Sequence, residues 1–229
     1  MDAKALEALA LTAAQELEGA SPQDVLRWAV DTFGERFVIS SSMGDGVLAS
    51  LAAGVASGID VVFLDTGYHF AETIGTRDAV AHVYDVNVRT VLPLLSVTQQ
   101  DSQYGAELWR SDPDRCCAMR KVEPLTRALA DYDAYASGIR RDESPTRAGT
   151  AVVEWDDKRG KVKVNPLVAW SQDDGDAYIS DNDILVNPLV EDGYPSIGCG
   201  PCTHRVAPGE DPRSGRWKGS QKTECGLHP

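Results

Sequence analysis

Five cysteines divide four plus one along this chain. Cys116 and Cys117 are adjacent, Cys199 and Cys202 bracket Gly200 and Pro201, and Cys225 stands alone. Adjacent cysteines close a disulfide on each other only with difficulty, and an odd count leaves one thiol over in any pairing scheme. Two tight pairs supply enough thiolates for a metal centre, and the fifth thiol is then free to act as a nucleophile. Zinc and an iron–sulfur cluster both accept four cysteines. A single zinc ion seldom takes two neighbours, because their side chains diverge. The separate iron corners of a cluster tolerate adjacency better, so the spacing tilts toward iron–sulfur.

Four further constellations could bind an anionic ligand. Ser40-Ser41-Ser42-Met43-Gly44-Asp45-Gly46 is a small-residue turn between an apolar run and a helix, where backbone N–H groups and the Ser41 and Ser42 hydroxyls can approach an anion. It carries no Walker lysine, so an ordinary P-loop is excluded; taken alone it is as readily a plain strand-to-helix turn. Leu64-Asp65-Thr66-Gly67 puts a carboxylate at a strand end, able to receive a ribose hydroxyl or an adenine amine, with Gly67 leaving room for the nucleoside. The plainer explanation is a helix cap from Asp65 or Thr66. Arg140, Arg141 and Arg147 crowd into residues 138–147 of a very acidic chain, and guanidinium groups grip phosphate and sulfate bidentately. Surface ion pairs are the bland alternative. Finally, Arg213, Arg216, Lys222 and His228 surround Cys225 with positive charge or the capacity for it, which lowers a thiol pKa and attracts an anion, while Glu224 mildly opposes both.

These residues need elements to hold them. Glu7, Glu16 and Glu18 make the first 20 residues an amphipathic helix rather than a signal peptide, and Ser21-Pro22 starts a second helix. Apolar runs at 36–40, 61–64, 86–92 and 134–138 alternate with helical stretches at 47–56, 71–82 and 117–130. That alternation predicts an α/β fold, a mostly parallel twisted sheet with helices on both faces. Residues 151–155 and 161–164 flank a polar turn and read as an antiparallel hairpin, followed by a helix over 171–182. Val-Asn-Pro-Leu-Val occurs at 164–168 and again at 186–190, too few copies for a repeat architecture. From Gly193 onward glycine, proline and charge predict loop and a mobile tail. Open parallel sheets bind ligands at their strand ends, where the turns at 40–46 and 64–67 belong.

The net charge of −13 over 229 residues argues against a nucleic-acid partner, since phosphate binding needs a basic surface. No stretch reaches the roughly 18 apolar residues a membrane span requires. A reducing cytoplasm is the expected location, and there cysteine clusters bind metals or do chemistry more often than they form disulfides.

Taken together, Cys-Cys-x-x-Arg-Lys at 116–121, Gly-x-Arg-Arg-Asp-x-Ser-x-Thr-Arg at 138–147, Tyr-Pro-Ser-Ile-Gly-Cys-x-x-Cys at 194–202, Gly-Arg-Trp at 215–217 and Lys-Thr-Glu-Cys-Gly-Leu-His at 222–228 resemble the assimilatory adenylyl-sulfate (adenosine 5′-phosphosulfate, APS) reductases of the iron–sulfur type. The loop at 40–46 and Leu-Asp-Thr-Gly at 64–67 extend the match over most of the chain. Glu143 departs from it, standing where the family pattern has glutamine. The resemblance implies an adenine nucleotide α-hydrolase-like sheet and a 4Fe-4S cluster on Cys116, Cys117, Cys199 and Cys202. It implies that Cys225 attacks the sulfur of APS, leaving a Cys-S-sulfonate that thioredoxin releases as sulfite, in sulfate assimilation on the route to cysteine. It places Ser41, Ser42, Asp65, Gly67, Lys121, Arg140, Arg147, Arg213, Arg216 and His228 on the substrate. Relatives that use the 3′-phosphorylated nucleotide (PAPS) lack the four cluster cysteines, so their presence points to APS. Residues 1–207 would form the nucleotide-binding domain carrying the cluster, and 208–229 a flexible segment delivering Cys225. Rival readings are PAPS as substrate, an ATP-pyrophosphatase-type tRNA thiolation enzyme, and a metal-based redox sensor with Cys225 as its oxidisable thiol. Homo-oligomerisation stays open.

Overall fold

The apolar runs become strands of one six-stranded sheet. A computed structural model of the protein describes residues 1–227. The strands are β1 (Phe37–Ser41), β2 (Ile59–Leu64), β3 (Val86–Val91), β4 (Ala134–Ser137), β5 (Val153–Asp156) and β6 (Lys161–Val164), in the order β3-β2-β1-β4-β6-β5. All pair in parallel except the β5–β6 hairpin, in which Val153 faces Val164 and Asp156 faces Lys161. The sheet therefore grows outward in both directions from β1, and the turns leaving β1 and β4 diverge. This is the switch point at which open α/β sheets form a ligand crevice.

Alternation of side chains sends β1 residues to two cores. Phe37 and Ile39 join the larger core beneath α1 (Ala3–Glu16), α2 (Pro22–Phe33), α3 (Val47–Val55), α4 (Ala71–Val83) and α9 (Gln172–Asp181), while Val38 joins a smaller core on the opposite face. The helix starts follow from local chemistry: Asp2 accepts from the Ala5 N–H, and Ser21 caps a helix whose first residue is Pro22. The α/β architecture expected from the sequence is the one found.

Three elements depart from expectation. The helix expected over 117–130 is α7 (Pro113–Cys117), a π-helical turn (Ala118–Val122) and α8 (Glu123–Ala128). Pro124 explains the break, because its ring clashes with the carbonyl four residues back and it lacks an N–H; the wider turn, closed by the Glu123 N–H on Ala118 O, makes room. Two helices were not anticipated, α5 (Val97–Tyr104) and α6 (Leu108–Ser111). Their sequence is too polar to show helical periodicity, and the Ser96–Gln99 capping box, not an apolar stripe, starts α5.

The repeated Val-Asn-Pro-Leu-Val segments act as two clamps. Asn165 and Asn187 are both fully buried. Asn187 Nδ2 donates to Met43 O (3.1 Å) and Thr73 Oγ1 (3.1 Å), holding the β1 turn, and Asn165 Oδ1 accepts from Ser137 Oγ at the end of β4 (2.9 Å). Each copy thus braces one side of the crevice. Asn187→Ala leaves the Met43 carbonyl unpaired in the core, with an expected loss of about 2 kcal/mol in urea denaturation. A loss below about 0.5 kcal/mol would show that the clamp is not structural.

Candidate active site

The π turn decides what the cysteine helix presents. Cys116, Cys117, Arg120 and Lys121 are all buried on one side of it. Arg120 is the clasp. Its Nε donates to Gln100 Oε1 (2.8 Å), Nη1 to Thr66 O (2.7 Å) and Nη2 to Leu95 O (3.4 Å), and its guanidinium lies 4.9 Å from the Tyr68 ring centroid. One side chain therefore ties the turn after β2 and the entry to α5 onto the cysteine helix. Gly67 lets this happen: its φ is 73°, and a Cβ there would sit 3.4 Å from Arg120 Nη1 and 3.3 Å from Val97. Asp65 and Thr66 do not cap α4, whose first turn receives no side-chain cap. Asp65 Oδ1 instead accepts the Gly67 N–H (2.9 Å), and Thr66 Oγ1 lies 3.3 Å from Cys199 Sγ.

The second cysteine pair arrives from the far end of the chain. Gly200 N–H donates to Tyr68 O (2.7 Å), and Trp217 N–H donates to Cys202 O (3.0 Å). Trp217 is buried with Cys199 and Cys202, and Tyr68, Trp109 and Cys225 pack on that group. The four cysteines of the two pairs line a single pocket with Tyr68, Trp109, Trp217, Arg120 and Lys121 on its walls. All five sequence-predicted thiols are therefore brought together.

Charge in this pocket is unbalanced without an anion. Burial, and then the neighbouring thiolates Cys117, Cys199 and Cys202, push the Cys116 thiol up to about 12; burial and Cys199 push Cys202 up to about 11. Cys116, Cys117 and Cys202, all raised by burial, do not ionise together without added positive charge. Conversely, among the described residues Arg120 hydrogen-bonds only to neutral acceptors, and the negative groups acting most strongly on Lys121 are the thiols Cys199, Cys225 and Cys117. Burial alone would lower the Lys121 ammonium, but Cys199, Cys225 and Cys117 outweigh it and hold it above its ordinary value. Two buried cations suit a group of charge −2, and four thiolates on a 4Fe-4S core in its 2+ state carry that charge. Among the described residues no three Cys, His, Asp or Glu side chains converge for a single metal ion. A zinc ion on four thiolates would carry the same charge, so it is the adjacency of Cys116 and Cys117 that fits a cluster better than a zinc ion.

The other predicted residues separate into two groups. Ser41 and Ser42 lie in the β1 turn, where Ser41 Oγ accepts the Met43 N–H (3.2 Å) and Met43 takes φ 59°, a left-handed conformation that turns the backbone at the crevice. Gly46 is needed there, since a Cβ would meet the Tyr84 ring at 2.8 Å. Arg216 stacks 4.6 Å from the Trp217 ring centroid and over Gly198, donates from Nη1 to Ser196 Oγ (3.3 Å) and Ile197 O (3.2 Å), and keeps a buried Nε without a hydrogen-bond partner. Burial lowers its pKa, partly countered by the Cys225 charge. The remaining arginines are engaged elsewhere. Arg140 donates to Asp142 (3.2 Å) and Gln172 (2.6 Å) beside α9, Arg147 pairs with Glu143 and Glu224, and Arg213 pairs with Glu224 (3.2 Å). His228 lies outside the described residues. Thr66, Arg120, Gln100 and Trp217 were not read as site residues; Thr66, Arg120 and Trp217 stand inside the quoted motifs, and Gln100 alone gave no sequence signal.

Known proteins with this arrangement can now be compared. A family model described as the phosphoadenosine phosphosulfate reductase domain matches residues 36–205. The chain belongs to that family. A relative from Streptomyces coelicolor, named adenosine 5′-phosphosulfate reductase, is 59% identical across 97% of this chain and 94% of its own. One from Rhodococcus opacus with the same name is 55% identical over the same shares. The solved phosphoadenylyl-sulfate reductase of Candida auris, a phosphate complex, is 29% identical with a TM-score of 0.73, covering 86% of this chain and 96% of that one. No helix among the described residues is long and apolar enough to cross a membrane.

Replacing the clasp tests its role in the family frame. Arg120→Met leaves Gln100 and the Thr66 carbonyl without their donor, and a stability loss of about 3 kcal/mol is expected, with faster alkylation of Cys116 and Cys117. An unchanged denaturation midpoint together with unchanged alkylation would contradict the clasp.

Proposed function

We infer that the protein reduces adenosine 5′-phosphosulfate to sulfite and AMP, with thioredoxin as the reductant. The observation that carries this reading is the packing of Cys225 on Cys199, Cys202 and Trp217, within electrostatic reach of Lys121 and Arg216, in a chain whose relatives of 51–59% identity are named adenosine 5′-phosphosulfate reductase.

The chemistry follows from the residues. The Cys225 thiolate attacks the sulfate sulfur; a sulfur–sulfur bond forms, the bond from sulfur to the phosphate oxygen breaks, and AMP leaves with the electron pair. Lys121 and Arg216, buried cations with no carboxylate partner among the described residues, stabilise the charge that develops on the sulfonate oxygens and the departing phosphate. Ser41 and Ser42 with the β1 turn receive the phosphate side. Asp65, whose second oxygen is free of the Gly67 bond, receives the nucleoside beside Gly67. A thioredoxin thiolate then attacks Cys225 Sγ, and sulfite departs with the electrons of the cleaved sulfur–sulfur bond. Thioredoxin's second thiol resolves the mixed disulfide, so its dithiol supplies the two electrons that take S(VI) to S(IV). For this second step the segment around Cys225 must swing away and carry the thiol to a protein partner, the movement expected of a flexible C-terminal segment.

Cys116, Cys117, Cys199 and Cys202 would hold a 4Fe-4S cluster, which when bound supplies a compact negative charge beside Lys121. Lys121 couples that charge to the substrate. Lys121→Ala is expected to slow sulfonate formation about 100-fold with iron retained; normal turnover would remove Lys121 from the mechanism.

Anaerobically purified protein mixed with APS alone should release AMP and gain the mass of one sulfonate on Cys225, and adding thioredoxin should then release sulfite. Colourless protein that holds zinc and makes no sulfite would overturn the reading. Faster adduct formation from PAPS than from APS would move the substrate to the 3′-phosphorylated nucleotide.

A further inference from the structure

The segment that carries Cys225 is tied down on both sides of the thiol. Before it, Lys222 ion-pairs with Asp114 on α7 and lies 5.7 Å from the Trp217 ring centroid. After it, Gly226 turns with φ 79° against Val122, and Leu227 packs onto the smaller core. The residue adjacent to the thiol makes the strongest anchor. Glu224 Oε1 accepts from Arg147 Nε (3.0 Å) and Oε2 from Arg147 Nη2 (3.0 Å), a bidentate pair, while Arg213 approaches Oε2 at 3.2 Å. Burial would raise the Glu224 carboxyl, but Arg147 and Arg213 outweigh it and hold it below the usual carboxylate range.

Arg147 has nothing left over in this arrangement. Its third nitrogen, Nη1, donates to Glu143, so every nitrogen of the guanidinium meets a carboxylate. Glu224 enters a pocket whose lining includes Thr146, Arg147, Glu154 and Lys163, and Lys163 is already paired with Glu154 (2.6 Å). The cations that Cys225 influences are Lys121 and Arg216, neither of which has a carboxylate partner among the described residues. The positive groups thus divide: one pair receives the tail, the other faces the thiol.

The geometry points to Glu224 as a positioning residue, whose carboxylate docks on Arg147 and Arg213 and so seats Cys225 against Lys121 and Arg216 for sulfur transfer. This rests on Cys225 being the nucleophile of the proposed reaction. It assigns Arg147 to the tail, while Arg213 gives the tail only its Nη2. A substrate anion on Arg147 would displace Glu224 and unseat the neighbouring thiol, so the two uses exclude each other.

The test uses full-length, anaerobically purified protein as wild type, Glu224→Gln and Glu224→Asp. Single-turnover sulfonate formation at saturating APS is read alongside AMP affinity by calorimetry and the alkylation rate of Cys225. Glu224→Gln keeps the shape but loses the charge-assisted pair. Its adduct formation is expected to fall about 10- to 100-fold with AMP affinity unchanged and Cys225 alkylated faster, and Glu224→Asp should recover part of the rate. Arg147 keeps Glu143 in both variants, which preserves the fold around it. Tighter AMP binding in Glu224→Gln with undiminished adduct formation would overturn the role, because it would mean that Glu224 merely masks substrate-binding arginines. If wild type forms the adduct and Glu224→Gln matches its rate and alkylation, the docking role falls alone. If wild type forms no adduct, the proposed reaction and this role fall together.

Discussion

Two cations buried side by side, Arg120 and Lys121, are the constraint on which the rest of the site depends. A charge taken out of water needs a compensating partner nearby, or it is lost by titration or unfolding. Among the described residues no carboxylate hydrogen-bonds or ion-pairs with either group; the negative charge has to come from thiolates gathered in the same pocket. That requirement explains why Cys116 and Cys117 precede the cations by one turn, and why the second pair must arrive across the pocket. It also explains the glycines. Gly67 admits the Arg120 guanidinium, Gly200 lies against Tyr68 O, and Gly198 leaves the surface over which Arg216 lies. A side chain at any of these positions would hold apart segments that the charge balance needs together.

The scaffold solves a different problem, which is to keep two turns open toward one crevice. Parallel strands on both sides of β1 send the turns at 40–46 and 138–147 in opposite directions. Backbone groups in such turns lose their ladder partners and must be satisfied elsewhere. Asn187 does this for the Met43 carbonyl, and Asn165 braces Ser137 at the end of β4. The crevice is therefore held by side chains supplied from after the sheet.

Much of this was legible in the sequence, for reasons that differ by residue. The cysteine split was readable because thiols are rare and their pairing arithmetic is restrictive. The parallel sheet was readable because buried strands such as Val61–Leu64 are continuously apolar. The clasp was not: the motif Cys-Cys-x-x-Arg-Lys marks Arg120, but its partner Thr66 lies 54 residues away and nothing local reveals that contact. Nor were the two asparagines, because two copies of Val-Asn-Pro-Leu-Val make no repeat and the partners of Asn165 and Asn187 lie far off in sequence. Glu224 was read as an opponent of thiolate formation, a through-space effect on its neighbour. Its actual partner, Arg147, lies 77 residues away, and that contact converts a local nuisance into an anchor. The helix break at Pro124 was visible in principle, but the π turn that absorbs it was not, because its geometry depends on what the turn buries.

The account divides the five thiols into four that hold a charged group and one that carries sulfur. Iron and acid-labile sulfide, measured per chain in the five single Cys→Ser variants, test that division most directly. Four irons and four sulfides are predicted for wild type and for Cys225→Ser, with the latter making no sulfite, and a clear loss of both elements for Cys116, Cys117, Cys199 and Cys202. A Cys225→Ser protein that lost its iron, or a variant of any of the other four that kept it in full, would contradict the division.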